Sequence, residues 1–342
     1  MRTLSNKYLQ VLDYIQQFFP LTERPFAKLS QDLELPEKEI KEIIKELKGE
    51  KIIRNIAGIF EAKKLGYYLS LVALEVPVNM ISRAASIINS HPGVSHNYLR
   101  DHRYNIWFTL AEENQKKFMG TIKFLMSEVK GRDYLVLPSK KMFKIGVFLP
   151  FKKKTGKKVV NQKVKPALYS KRFYKTKATK EAVYLLQQDL SLVDRPFASL
   201  VKKNKSFLTE SQLINFGLKF QENKIMRRYS AVLKHQKAGY NYNAMTAWRV
   251  SSEKISPKQL EPFLQEEMIT HLYLRPVFPN RWEYPLFAMI HATSKEELDL
   301  IIQKISLEAK IKDFLILSTL KEFKKEKVIY FSDKFDKWVD GS

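Results

Sequence analysis

The chain is 342 residues long, room for two domains of ordinary size or four small ones, and its 44% hydrophobic content is enough to build real cores. Its 60 Lys and Arg against 36 Asp and Glu leave a formal charge of +24, which asks for an anionic partner or substrate. Cys is absent, which excludes disulfides, thiolate nucleophiles, zinc fingers and iron–sulfur ligation. No apolar run approaches the roughly 18 residues of a membrane span, and the polar residues interleaved through MRTLSNKYLQVLDYIQQFF are unlike a signal peptide. The expected compartment is therefore the cytoplasm, with no membrane partner.

In chain order, helices are predicted near 5–19 and 24–33. A third follows over 37–50, where Ile40, Ile43, Ile44 and Leu47 recur at i, i+3, i+4, i+7 between Pro36, suited to a first turn, and Gly49 near the end. An extended segment (53–66) comes next, as in a winged helix-turn-helix. The element type then alternates: strand 67–77, helix 79–90, strand 94–101, strand 104–111, helix 113–129, strand 133–138. That β-α-β-β-α-β order is the ferredoxin-like one. Residues 151–177 hold 11 Lys or Arg and no acid, and with few apolar side chains they read as a solvated basic linker.

Beyond the linker the chain repeats itself. RPFAKL (24–29) recurs as RPFASL (195–200), IRNIAGIFEAKKLGY (53–67) as MRRYSAVLKHQKAGY (226–240), SHNYLR (95–100) as THLYLR (270–275), and LPSKKMF (137–143) as LSTLKEF (317–323). In the second copy Thr209 and Gln212 suit a capping box ahead of Leu213, Phe216 and Phe220; an extended segment follows over 226–239, then the ferredoxin-like order from 241 to about 319. The fold class is thus α+β, two tandem copies of a winged helix-turn-helix domain plus a ferredoxin-like (βαββαβ) domain. The expected division is 1–66, 67–150, linker 151–177, 178–240 and 241–331, with the two halves paired as a pseudo-dimer and further homo-oligomers open.

Over nearly the whole of each half this order resembles the Lrp/AsnC transcription regulators, which implies the fold without settling the function. A DNA reader needs Arg, Lys, Asn, Gln or Ser at the start of its second helix. Here that helix has no Arg and carries Glu37, Glu39, Glu42, Glu46 and Glu50, which largely balance Lys38, Lys41 and Lys45. Carboxylates facing a phosphate backbone are unfavourable, so nucleic acid is not the expected partner.

The unusual residues lie elsewhere. Strand alternation puts His96, Tyr98 and Arg100 on one face, and His271, Tyr273 and Arg275 on one face of the equivalent strand. In a ferredoxin-like sheet the helices cover the apolar face, so this His-x-Tyr-x-Arg row is expected on the open face, twice. The second extended segment adds Arg227, Arg228, His235 and Lys237, a set suited to carboxylates because Arg binds them bidentately. The first half has Arg54, Asn55 and Ala62 at the matching positions. Trp282, Tyr284, Tyr240, Trp107 and Tyr104 supply flat aromatic surface, though each alone reads more readily as core than as a ligand platform. His91, in HPGV after a helix, reads as a turn residue whose replacement should be nearly silent, while His102 and His291 stay ambiguous. No H-x-x-x-H on a helix and no carboxylate cluster suggests a metal site of the protein's own.

RRYSAVLKHQKAGYNYNAMTAWRV, HNYLRDHRYNIWFTL and HLYLRPVFPNRWEYPLFAMIHA together resemble the two subunit types of the sirohaem decarboxylases, fused in one chain. The resemblance implies loss of CO2 from two acetate side chains of sirohaem to give 12,18-didecarboxysirohaem, in haem d1 or alternative haem b biosynthesis. The iron tetrapyrrole is then the substrate, and no added cofactor is required because the macrocycle accepts the electron pair left behind. A tight grip on a reacting carboxylate would stabilise the ground state, so Arg227, Arg228, Lys237, Arg275 and Arg100 are expected on the carboxylates that stay, with Trp282, Tyr284, His96 and Tyr98 lining the substrate. His235 and His271 are the candidate proton donors, supported by Tyr273; one of these His could instead ligate the substrate iron. The second half, with the fuller set, is expected to catalyse. The runner-up readings are a tetrapyrrole-responsive transcription regulator and a binding module without catalysis.

Overall fold

A computed structural model describes residues 5–145, 175–233, 242–251 and 255–340. Half one runs α1 (Asn6–Gln17), α2 (Pro25–Leu33), α3 (Glu37–Gly49), β1 (Ile53–Phe60), β2 (Tyr68–Glu75), α4 (Ile81–Ser90), β3 (Val94–Arg100), β4 (Ile106–Glu112), α5 (Gln115–Glu128), β5 (Asp133–Leu137) and β6 (Lys141–Ile145). Half two runs α6 (Lys177–Leu186), α7 (Pro196–Lys203), α8 (Glu210–Glu222), β7 (Met226–Leu233), β8 (Tyr242–Trp248), α9 (Pro257–Gln265), β9 (Ile269–Leu274), β10 (Leu286–Ala292), α10 (Lys295–Ala309), β11 (Phe314–Leu317), β12 (Thr319–Lys325) and α11 (Lys334–Asp340). The basic linker lies outside the described residues up to 174. The chain divides into a helical unit, built from the α1–β1 and α6–β7 segments with 329–333, and a sheet unit holding the remainder.

The helical unit follows from its apolar spacing. Ile40, Ile43, Ile44 and Leu47 all face inwards on α3, and Leu12, Ile15, Phe26 and Leu29 complete that core. Pro25 and Pro196 open α2 and α7, where a missing N–H costs nothing. Thr209 and Gln212 do form a reciprocal capping box on α8. The two extended segments do not close separate wings within each half. Each is a lone strand whose backbone needs a partner, and the duplicated copy supplies one: β1 pairs antiparallel with β7, with Ile59 opposite Arg228.

The sheet unit contains two five-stranded sheets, ordered β12-β3-β4-β2-β5 and β11-β8-β10-β9-β6. Four strands of each have the expected ferredoxin-like order; the fifth comes from the other half. Strand β12 of half two extends the half-one sheet beside β3, and β6 of half one extends the half-two sheet beside β9. Each exchanged strand brings a lysine that caps a helix C-terminus across the halves. Lys144 Nζ donates to the carbonyls of Leu264 and Glu266, and Lys324 Nζ to those of Asn89 and His91. Helices α4 and α5 cover one face of the half-one sheet through Phe108, Leu110, Phe118, Ile122 and Leu125. The opposite faces are not open at their centres. Leu71, Ala73, Trp107 and Leu137 of half one and Ala247, Trp282, Phe287 and Leu317 of half two form a single buried cluster. Among the described residues no helix is long and apolar enough to cross a membrane.

Candidate active site

Both His-x-Tyr-x-Arg rows form, and both are shaped by the same irregularity. The β3–β4 register skips Ser95, pairing Val94 with Leu110 and His96 with Thr109; the β9–β10 register skips Thr270, pairing His271 with Met289 and Ile269 with Ile290. A one-residue bulge re-aims side chains, and here it turns a hydroxyl towards the neighbouring histidine. Ser95 Oγ lies 2.9 Å from His96 Nδ1, and Thr270 Oγ1 lies 2.9 Å from His271 Nδ1. Thr270 Oγ1 also lies 2.9 Å from His291 Nε2, so the ambiguous His291 belongs to the half-two row as a relay behind His271. The stacks that follow are nearly identical: His96 on Tyr98 at 6.1 Å and His271 on Tyr273 at 6.0 Å, both at 27°. Arg100 lies 5.1 Å from the Tyr98 ring centre and Arg275 lies 5.0 Å from that of Tyr273. The imidazoles and phenols are half-buried.

The arginines correct an expectation. Arg100 is only 4% exposed, and its guanidinium donates to the Leu317 carbonyl at 2.6 Å and to Thr319 Oγ1 at 3.1 Å. Arg275 donates to the carbonyl of Leu137. Each arginine therefore pins the point where the other half's chain leaves its sheet for the exchanged strand. Burial pushes both guanidiniums down to about 10, with the adjacent tyrosine opposing that shift. The Nε atom of each is buried and without a hydrogen-bond partner among the described residues. Committed to carbonyls, neither is placed as a bidentate grip on carboxylate. Trp282 is likewise not an open platform: it is 2% exposed, stacked on Phe287 at 5.7 Å and edge-on to Trp107 at 5.4 Å. Tyr284 stays half-buried beside it, its phenol pushed up by burial and by Asp313.

The other expected anchors lie in the helical unit. Exposed Arg227 pairs with Glu61 at 2.7 Å. Half-buried Arg228 has no hydrogen-bond partner among the described residues, and burial with the adjacent Arg227 charge lowers its pKa. His235, Lys237 and Tyr240 lie outside the described residues.

His91 is more than a turn residue. It is 1% exposed; the Gly93 N–H donates to its Nδ1 at 2.9 Å, which leaves Nε2 to donate to Glu112 Oε1 at 2.9 Å. Thr121 holds the same oxygen at 2.8 Å, and Trp338 packs edge-on over the imidazole at 4.1 Å. Burial alone would raise the Glu112 pKa, but the His91 and Thr121 bonds outweigh it and hold the carboxyl below its ordinary value. A depressed carboxyl contributes stability at neutral pH that is lost as pH falls through its folded-state value. His91→Ala is thus expected to cost about 2 kcal/mol, because the buried Glu112 carboxylate loses one of its two side-chain hydrogen bonds and the Gly93 N–H loses its acceptor, and to flatten the acid limb of the stability profile. Urea midpoints between pH 4 and 7 check this; a midpoint unchanged at pH 7 would contradict it. His102 is also built in: it accepts from the Tyr104 backbone N–H at 3.1 Å and meets Trp282 edge-on at 5.6 Å, and burial lowers its pKa.

Doubled AsnC-like sheets with a shared buried face and a polar histidine row on each define a ligand-binding protein of the Lrp/AsnC class. A model of the AsnC-like ligand binding domain matches residues 64–144 and 237–324, and one of the "Siroheme decarboxylase NirDL-like HTH domain" matches 9–54. The "Siroheme decarboxylase" of Hydrogenobacter thermophilus is 34% identical over 98% of this chain and 98% of its own length. The "Siroheme decarboxylase alpha subunit" of Desulfovibrio desulfuricans is 41% identical over 40% of this chain and 79% of its own. A crystal structure of the siroheme decarboxylase NirDL with an iron-uroporphyrin III analogue superposes with a TM-score of 0.78 at 28% identity, covering 98% of both chains. The chain belongs to the sirohaem decarboxylase family.

Proposed function

We propose that this chain removes CO2 from two acetate side chains of sirohaem, giving 12,18-didecarboxysirohaem, as a cytoplasmic step of haem d1 or alternative haem b synthesis. The observation that carries this reading is the 34% identity to a sirohaem decarboxylase along essentially the whole of both chains. In each loss the bond between the methylene and the carboxyl carbon breaks, CO2 departs, and the electron pair stays on the methylene, delocalised into the conjugated ring. A proton then turns the methylene into a methyl group. The protein's tasks are to seat the ring, hold the carboxylates that stay, and deliver that proton.

His271 suits the last task. Thr270 holds its Nδ1 and Tyr273 stacks on its face, so the ring plane is set before substrate arrives. His235 keeps the same role on sequence grounds. Arg227, Arg228 and Lys237 keep the role of holding spectator carboxylates on sequence grounds alone. The electron pair needs no added cofactor, because the substrate's own macrocycle accepts it. Against the regulator reading stand the α3 lysines. Lys41 is paired with Glu37 and Asp194, each at 2.6 Å, and Lys48 with Asp189 at 2.8 Å, which supports a packed rather than a phosphate-facing helix. The test is anaerobic incubation with sirohaem followed by mass spectrometry. Two successive losses of CO2 are expected; intact sirohaem beside well-folded protein would overturn the reading.

A further inference from the structure

The two rows match in their histidine, tyrosine and arginine but not in what the exchanged strands set beside them. Met142 on β6 lies opposite Tyr273, while the equivalent residue of the repeat, Glu322 on β12, lies opposite Tyr98. On the other flank Met289 lies opposite His271, and Thr109 opposite His96. We propose that Met142 and Glu322 decide which row accepts a carboxylate-fringed tetrapyrrole: Met142 opens the His271–Tyr273 row to it, and Glu322 closes the His96–Tyr98 row. This inference rests on the decarboxylase reading above and names where in the sheet unit that substrate's reacting edge is received.

In both rows a neighbouring hydroxyl holds the histidine, and the half-one row adds a charged pair. Glu322 lies opposite Tyr98, where its charge adds to the burial that raises the phenol's pKa, and 4.0 Å from Lys325 Nζ. Ser95 Oγ, held by His96, is also 2.6 Å from Thr109 Oγ1. A substrate carboxylate arriving there meets like charge, and the flat apolar ring would bury the Glu322–Lys325 pair. The half-two row presents Met142, 48% exposed, with half-buried Met289 opposite the histidine. A thioether is apolar, polarisable and adaptable, fit to lie against a macrocycle face. It also gives a reacting carboxylate no cation to stabilise it, which favours departure as neutral CO2 over the bound ground state. Charged neighbours thus mark the row that is shut, and apolar ones the row that works.

The full chain and its Met142→Glu and Glu322→Met variants would be titrated with iron-uroporphyrin III by absorbance and assayed for CO2 loss from sirohaem. Both positions are exposed, so folding should be kept, and circular dichroism checks it. Met142→Glu is expected to weaken binding roughly 10-fold or more and to lower CO2 release in step. Glu322→Met should bind at least as tightly as the native chain, with a second equivalent the strongest supporting result. Weakened binding in Glu322→Met alone, or equal weakening in both variants, would overturn the assignment. A native chain that neither binds the tetrapyrrole nor releases CO2 would instead overturn the decarboxylase reading, and the inference with it.

Discussion

Replacing His271 by Ala is expected to cut sirohaem turnover by roughly 100-fold or more without unfolding the chain, the scale of a lost general acid. At room temperature that is about 2.7 kcal/mol of barrier. The fold should survive because His271 is half-buried on a sheet whose core is carried by Leu272, Leu286, Ala288 and Ile290 on the other face. The relay refines the expectation. Thr270→Val removes the oxygen that orients His271 Nδ1 and joins it to His291, so turnover should fall by roughly 10-fold with substrate affinity little changed, as loss of orientation rather than of the acid predicts. Single-turnover rates and tetrapyrrole affinities for both variants and for His96→Ala are the measurement. A crippled His96→Ala beside a near-native His271→Ala would place the chemistry in the half-one row.

Much of this was legible in the sequence because it is local. The helical spacing of Ile40, Ile43, Ile44 and Leu47, the Thr209–Gln212 cap and the alternation of His271, Tyr273 and Arg275 all survive in the fold. What was not legible is what the chain does at a distance. KMFKI (141–145) and TLKEFKK (319–325) look like lysine-rich ends of their halves, and only a partner strand from the other half makes them sheet edges. The bulges at Ser95 and Thr270 depend on register, which no single strand reveals, so the hydroxyl–histidine bonds could not be read from S-H and T-H. Arg100 and Arg275 were placed on the correct face, yet alternation cannot show a carbonyl of the other half waiting there. Trp282 shows the same limit: its place in the cluster shared by the two sheets depends on packing that no single segment reveals.

Arg275→Ala should therefore cost stability first. The guanidinium satisfies the Leu137 carbonyl where β5 gives way to β6, and that carbonyl belongs to a residue with no exposure. Stranding a buried acceptor costs about 1–3 kcal/mol, and losing the stack on Tyr273 and Phe287, at 5.0 and 5.4 Å, adds about 0.5–2 kcal/mol. A total near 3 kcal/mol is expected from urea denaturation. Arg275→Lys should recover part of it, since an ammonium can reach the carbonyl but cannot stack as a plane. Arg100→Ala should cost a similar amount through Leu317 and Tyr98, because the two crossings match in geometry. The Lys144 cap on α9 is untouched by Arg275→Ala, so β6 should loosen at its Leu137 end before its far end, and amide exchange at Lys141 and Met142 should rise above that at Lys144. Tetrapyrrole affinity separates this role from the one first expected of the residue. If Arg275→Ala unfolds at the native urea midpoint yet binds iron-uroporphyrin III far more weakly, the guanidinium grips substrate carboxylate after all and its bond to Leu137 is incidental.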